Sequence, residues 1–272
     1  MRSTTVVFCA IDNLIGTTHK ALTGFPEFLE GLEEAGIPAV AVSARGRLEL
    51  DADIRKFGLG DPFIGEGGCG VYLPEDYFHL KPPRSMRFAR FTCIPQAAPQ
   101  PAAREMLAEL AEETGIATVA LRDLSPRELS QNTGMPQREA DLLRQRDFDE
   151  LFFFAGAAEG DVRRFRETAA QKKAQVRARG ALWSLAVGAN LGGCVRDLAG
   201  LYQRSLRTTP VKIGVATSDE AAELLPACDR GLWLATKDER ETPPGSGKWK
   251  RLPLFAADTW EVALEAIRTR QI

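Results

Sequence analysis

Apolar positions follow two rhythms along this chain. Continuous runs of β-branched and apolar residues recur at residues 4–11, 38–43, 211–216 and 231–235, the pattern of strands buried on both faces. Helical spacing fills the intervals. Residues 25–35 are amphipathic, carry Pro26 in the first turn and stop at Gly36. Residues 47–57 read as a second helix with Gly58 just past its end, and 61–64 and 70–74 complete a β-α-β-α-β series. Helices over 191–204, 219–225 and 259–269 resume the alternation later in the chain. Such alternation predicts an α/β fold, a Rossmann-like core with a doubly wound parallel sheet.

The punctuation changes from Lys81. Lys81-Pro82-Pro83-Arg84-Ser85 reads as a linker, with one strand over 88–94. Helices over 102–114, 126–132 and 136–145 follow, then a strand at 148–155, a helix at 160–173 and a strand at 182–187. This order predicts an inserted α+β cap domain at 83–185, with the core built from 1–82 and 186–272. Residues 237–250, charged and rich in Pro and Gly, read as a mobile loop.

Composition narrows the function classes. Among 272 residues 44% are hydrophobic and 26% charged, which suits a packed globular domain and not a disordered chain. A net charge of −2 argues against nucleic acid as partner. No apolar run approaches the roughly 20 residues of a membrane-spanning helix, so no membrane association is expected. The start runs directly into Val6-Val7-Phe8, so no secretory signal is expected. Five cysteines are scattered, with no C-x-x-C spacing. Reduced thiols in a cytoplasmic protein are therefore expected. Only His19 and His79 are available for histidine chemistry.

Most motif matches have a bland explanation. Gly65-Glu66-Gly67-Gly68-Cys69-Gly70 satisfies G-x-G-x-x-G, but a strand follows it, so a tight glycine turn is the expectation. Glu66 within it reads as a structural hydrogen-bond acceptor. Residues 159–179 carry seven Arg or Lys against three Asp or Glu, with Phe165 as sole aromatic, the pattern of a solvated helix face. More informative are four strand or helix ends that an open α/β sheet gathers at its ligand crevice. They are Ala10-Ile11-Asp12, Ser43-Ala44-Arg45, Asn190-Leu191-Gly192 and Thr217-Ser218-Asp219.

At these residues the chain resembles the haloacid dehalogenase (HAD) superfamily and, within it, the mannosyl-3-phosphoglycerate phosphatase family. The resemblance covers nearly the whole length. It is clearest at Asp61-Pro62-Phe63-Ile64-Gly65-Glu66-Gly67-Gly68, and in the cap from Thr133-Gly134-Met135 through Ala140 to Arg146-Asp147-Phe148-Asp149-Glu150. It implies a HAD-like core and an Mg²⁺-dependent phosphatase chemistry. A strand-one D-x-D would supply a carboxylate nucleophile and a general acid/base. A Ser or Thr ending strand two would bind the phosphoryl group, a Lys would neutralise it, and later acids would hold the metal.

This chain departs from the implied pattern at the chemistry. Ala10 stands at the nucleophile position and has no atom that can attack phosphorus; Asp12 remains as a vestigial acid/base. Leu191 replaces the Lys. Thr217 and Ala221 fall at metal-ligand positions, with Asp219 nearby. Arg179-Gly180-Ala181-Leu182-Trp183 departs from the family's R-G-G-R-F in the cap. Cys9 is a poor substitute nucleophile, because strand alternation points it to the opposite face. Losing one member of an interdependent catalytic set costs up to about a millionfold in rate.

The expectation is therefore a pseudophosphatase without a cofactor that binds a phosphorylated small molecule or a protein partner. Ser43, Ala44, Arg45, Asp12, Thr217 and Ser218 would line its ligand site. The alternative is an active Mg²⁺-dependent phosphomonoester hydrolase acting on a phosphorylated sugar or glycerate derivative through Asp12 and Asp219.

Overall fold

The computed structural model describes residues 4–16, 19–79, 82–217, 222–235 and 247–272. Within them the core elements run β1 (Thr5–Ala10), α1 (Phe25–Glu34), β2 (Ala39–Val42), α2 (Arg47–Lys56), β3 (Phe63–Gly65), β4 (Gly70–Pro74), β5 (Met86–Phe88) and β6 (Phe91–Pro95). The inserted region holds α3 (Gln100–Thr114), β7 (Thr118–Ala120), α4 (Pro126–Thr133), α5 (Gln137–Leu142), β8 (Glu150–Phe154), α6 (Glu159–Gln171), β9 (Ala174–Arg179) and β10 (Leu182–Val187). The chain then returns through α7 (Leu191–Leu206), β11 (Val211–Thr217), β12 (Arg230–Ala235), β13 (Trp249–Pro253) and α8 (Thr259–Thr269).

Two sheets form among the described residues. Nine strands line up as β13-β12-β11-β1-β2-β3-β4-β6-β5, and four as β7-β8-β10-β9. The first six of the nine are parallel; β4, β6 and β5 add an antiparallel edge. Every residue of β1 and β2 is buried, as continuous apolar runs demand of strands covered on both faces. Alternation along β1 sends Val7 and Cys9 into one apolar layer and Val6, Phe8 and Ala10 into the other. The first layer is sealed by α1 and α8, whose Phe25, Phe28 and Trp260 rings meet with centroids 5.1 and 5.2 Å apart. The second is sealed by α7 through Leu191, Cys194, Val195 and Leu198. This is the α/β core expected.

Strand pairing near both expected boundaries differs from the sequence reading. Residues 86–95, expected in the cap, form a hairpin on the large sheet, where β6 pairs with β4. A short turn at Ala89 (φ 50°) and Arg90 reverses the chain, so the single strand expected at 88–94 is two. At the other end β10 stays in the four-stranded sheet to Val187, two residues past the expected boundary. The segment from 159 to 179, expected as one helix face, ends in β9. There Ala174 and Val176 are buried while Arg177 and Arg179 project from the opposite face. The loop expected over 237–250 ends in an edge strand, Trp249–Pro253, while its residues 237–246 lie outside the described residues. So do Ser218, Asp219 and Ala221.

Candidate functional site

The ends of β1 and β2 meet as expected. After Ala10 the chain turns, with Ile11 N–H donating to the Val42 carbonyl at 3.0 Å, and this brings Asp12 against the loop that follows β2. Asp12 accepts from three groups of that loop. Ser43 Oγ and Arg45 Nε (3.0 Å) donate to one carboxylate oxygen and Ala44 N–H (2.6 Å) to the other. Arg45 N–H closes the loop on Ser43 Oγ at 3.0 Å. Both oxygens of Asp12 are thus directed at strand two. Thr217, at the end of β11, accepts from Asn13 Nδ2 at 2.9 Å, which joins the third strand end to the same turn.

Ala10 and Leu191, which the resemblance sets at the nucleophile and lysine positions, both sit in apolar surroundings. Ala10 is 2% exposed and Leu191 8% exposed, and both belong to the layer that includes Phe8, Val42 and Ala216. A close packing fixes Leu191 there. Gly68 has φ +96°, and a Cβ on it would lie 2.7 Å from the Leu191 Cα and N. Asn190 N–H also donates to the Gly68 carbonyl at 3.0 Å. The glycine turn therefore exists to admit the start of α7, and it carries no helix N-terminus of its own for a phosphate. Cys9 faces the other layer, as expected.

Charged groups crowd the opposite flank. Arg45 Nη1 donates to Asp53 at 2.6 Å, Asp53 meets His19 Nδ1 at 2.8 Å, and Arg45 Nη2 is buried without a partner. From the cap, Arg146 donates to Asp149 (2.6 and 2.9 Å), to Glu49 and to the Ala44 carbonyl (2.7 Å). Arg47 is bidentate to Asp147 at 3.0 and 3.2 Å, and Tyr72 Oη adds a bond to Asp147 at 2.8 Å. Glu66 accepts the N–H groups of Asp147, Phe148 and Asp149 at 2.8–2.9 Å, the structural role read from sequence. Burial, reinforced by the Asp149 charge, pushes the Glu66 carboxyl up to about 8. Arg179 of β9 approaches Glu49 at 3.9 Å, and its Nη1 is buried without a partner. Burial and neighbouring Arg146 lower its pKa.

The sequence reading named Asp12, Ser43, Ala44, Arg45, Ala10, Leu191 and Thr217; hydrogen bonds join Asp12 to Ser43, Ala44 and Arg45, Asn13 ties Thr217 to the same turn, and Ala10 and Leu191 share the adjoining apolar layer. It missed Glu49 and Arg146, which link core to cap. One local signal existed: Gly46 and Glu49 form a helix-start pair, the Glu49 carboxylate accepting Gly46 N–H at 2.8 Å.

Do these residues suit Mg²⁺? The cation requires several hard oxygens in octahedral array. On the strand-one turn, the strand-two loop and the end of β11, the described residues offer one carboxylate, Asp12, which is already bonded to a guanidinium. No group of three or more His, Cys, Asp or Glu side chains among the described residues could hold a metal. The described donors do not fit the ion.

The fold defines the class: its architecture is that of solved HAD-superfamily proteins. A phosphatase of the haloalkanoate (HAD) enzyme superfamily from Bacteroides thetaiotaomicron matches 97% of this chain and 94% of its own, with TM-score 0.64 and 17% identity. A HAD subclass IIB sugar phosphatase matches 98% of this chain and 99% of its own, with TM-score 0.57 and 13% identity. In sequence the chain resembles mannosyl-3-phosphoglycerate phosphatase. It is 24% identical over 215 residues, 79% of this chain and 78% of the relative, to the glucosyl-3-phosphoglycerate/mannosyl-3-phosphoglycerate phosphatase of Methanococcoides burtonii. No protein-family profile matches. Among the described residues, no helix is long and apolar enough to cross a membrane.

Proposed function

We propose that this chain is a phosphatase homologue that has given up phosphoryl transfer and acts by binding a phosphorylated small molecule in its strand-end crevice. One observation carries the reading. Ala10 and Leu191 lie in a continuous apolar layer, while both oxygens of Asp12 are held by the strand-two loop. A phosphoester there would meet a methyl group in place of a nucleophile, and an isobutyl group in place of a cation. Asp12 acts as a strut that shapes Ser43–Arg45.

The binding half of the reading rests on Arg45 and Arg179. Each keeps a buried guanidinium N–H without a partner, and such a group gains most from a charged acceptor. The curated relatives carry phosphoglycerate in their names, which makes a glycerate phosphate a suitable first ligand.

The purified protein is assayed with mannosyl-3-phosphoglycerate and a generic phosphoester in Mg²⁺, alongside Ala10→Asp and Asp12→Asn. No turnover is expected from any of the three, because Leu191 leaves the phosphate charge uncompensated even when the carboxylate is restored. 3-Phosphoglycerate should raise Tm, and Arg179→Met should abolish that rise. Turnover that survives purification and disappears in Asp12→Asn overturns the reading in favour of an active Mg²⁺-dependent hydrolase. No Tm shift with any phosphorylated ligand, together with co-purification of a protein, would move it to a protein-binding role.

A further inference from the structure

The other edge of the large sheet, where its parallel strands begin, holds a cavity of about 570 Å³. It opens between the C-terminal ends of three helices. Gly36 and Ile37 follow α1, Phe57 and Gly58 follow α2, and Ser205 and Leu206 end α7. Helix C-termini present carbonyl oxygens equivalent to roughly half a negative charge each, so three of them converging make a negative hollow before any side chain is considered.

The side chains add to that field. Glu30, Glu33 and Asp61 line the cavity, and among the described residues no basic side chain lines its wall. Among the described residues none of the three carboxylates has a cationic partner within salt-bridge distance. Lys56, which stacks over rim residue Phe57 at 5.2 Å, gives its ammonium to the His19 carbonyl and does not compensate them. Asp61 accepts from Ala39 N–H (2.7 Å) and Tyr77 Oη (2.6 Å).

The floor is aromatic. Tyr77, Phe78 and Tyr202 meet edge to face, with centroids 4.8 Å apart for the first pair and 5.1 Å for the last. With the Tyr77 proton directed at Asp61, Tyr202 Oη donates to Tyr77 Oη at 2.9 Å. Burial and the Asp61 charge hold the Tyr202 phenol well above its ordinary value, so the ring stays neutral with its π-face intact. Electron-rich rings beside uncompensated carboxylates are the elements that attract an organic cation, and a volume of this order suits a small molecule.

We propose that this cavity binds a small alkylammonium or alkylguanidinium compound, its charged head facing Glu30, Glu33 and Asp61 and its methylenes lying on the aromatic floor. The site is independent of the crevice. It repels the phosphates the crevice would attract, and it stands whether or not the crevice turns over a phosphoester.

Calorimetric titration at low ionic strength tests it, with agmatine and spermidine as probes and N-butylurea as the neutral isostere of the guanidinium. Agmatine or spermidine is expected to bind saturably and raise Tm, while butylurea does neither. Glu30→Gln/Glu33→Gln, both at exposed positions, should weaken binding about tenfold or more. Ser205→Arg, which places a guanidinium at the rim, should abolish it. Glu105→Gln/Glu112→Gln, a pair of the same charge on α3, should leave it unchanged. Absence of saturable binding at millimolar probe overturns the proposal. So does equal binding of butylurea, or an equal loss in the α3 pair, which would reduce the effect to diffuse counterion attraction.

Discussion

On one flank of the strand-end crevice, β1 meets α7 through Ala10 and Leu191 in an apolar layer, and Leu191 packs on the glycine turn at Gly68. On the other, β2 and α2 meet the cap through Asp12, Arg45, Glu49, Arg146 and Asp149, a dense set of alternating charges, with the Glu66 carboxyl accepting backbone N–H groups beside them. The first flank is where chemistry would occur and the second is where the cap docks. On the proposed function, chemistry needs several groups at once, so the loss of one removes the reason to keep the others, and apolar packing can replace them. The docking network is retained for a different reason. Its ions are buried, and removing any single member strands its partner in a low dielectric.

The strongest test of that contrast is Arg146→Met. The guanidinium is buried and satisfies Asp149, Glu49 and the Ala44 carbonyl together. Its loss leaves Asp149 without its countercharge and Glu49 with only Arg179 at 3.9 Å, and chemical denaturation should show a loss of about 3–5 kcal/mol. A loss below about 1 kcal/mol would mean that the knot is ornamental and the apolar contacts of Phe148 hold the cap alone.

Next in size is a pH dependence. Glu66 has an ordinary value of 4.5 and is held up to about 8, first by burial and then by Asp149, against Arg146 and the backbone donors. Below 4.5 folded and unfolded chains both carry the proton and the contribution is complete. Between about 4.5 and 8 the folded protein retains a proton that the unfolded chain has released, so stability declines as pH rises and the contribution is gone above 8. The decline should be on the order of 3–5 kcal/mol, and Glu66→Gln should flatten it even though that variant is weaker at every pH. An unchanged slope in Glu66→Gln would assign the dependence elsewhere.

Asp12→Asn is the third test, and it separates a strut from an acid. An amide offers one acceptor oxygen where the carboxylate offered two, and it gives up the charge that faces Arg45. A loss of about 1.5–3 kcal/mol is expected, with phosphoesterase activity staying at background. Unaltered stability would imply that the loop after β2 holds its own shape.

How much of this could be read along the chain follows from where each signal lies. β1, β2, α1 and α8 were legible because burial imposes a period on neighbouring residues. The gathering of Asp12 with Ser43 and Arg45 was legible because strand ends in an open parallel sheet must converge. β9 was hidden, since Gln175, Arg177 and Arg179 alternate with small apolar residues and resemble the charged face of the preceding helix. The hairpin at 86–95 was hidden because its turn is Ala89-Arg90, which lacks the Gly or Asn that usually marks a positive φ. Glu49 and Arg146 stand 97 residues apart, and nothing local in either announces the other.

A smaller effect separates two kinds of cap contact. Arg177 of β9 reaches across to Glu223 at 2.7 and 3.2 Å, a fork comparable in geometry to Arg146 on Asp149. Its setting differs, with side chains 24% and 49% exposed. Water already solvates both ions there, so the pair gains little from meeting and gives up side-chain freedom to do so. A double-mutant cycle with Arg177→Met and Glu223→Gln should therefore return a coupling of only 0.2–1 kcal/mol, shrinking further in molar salt. Equal geometry with unequal coupling would show that burial, and not the number of ion pairs, decides which contacts fasten the cap. A coupling above about 2 kcal/mol at this exposed fork would erase the distinction, because the cap would then be pinned as firmly beside the apolar flank as beside the charged one.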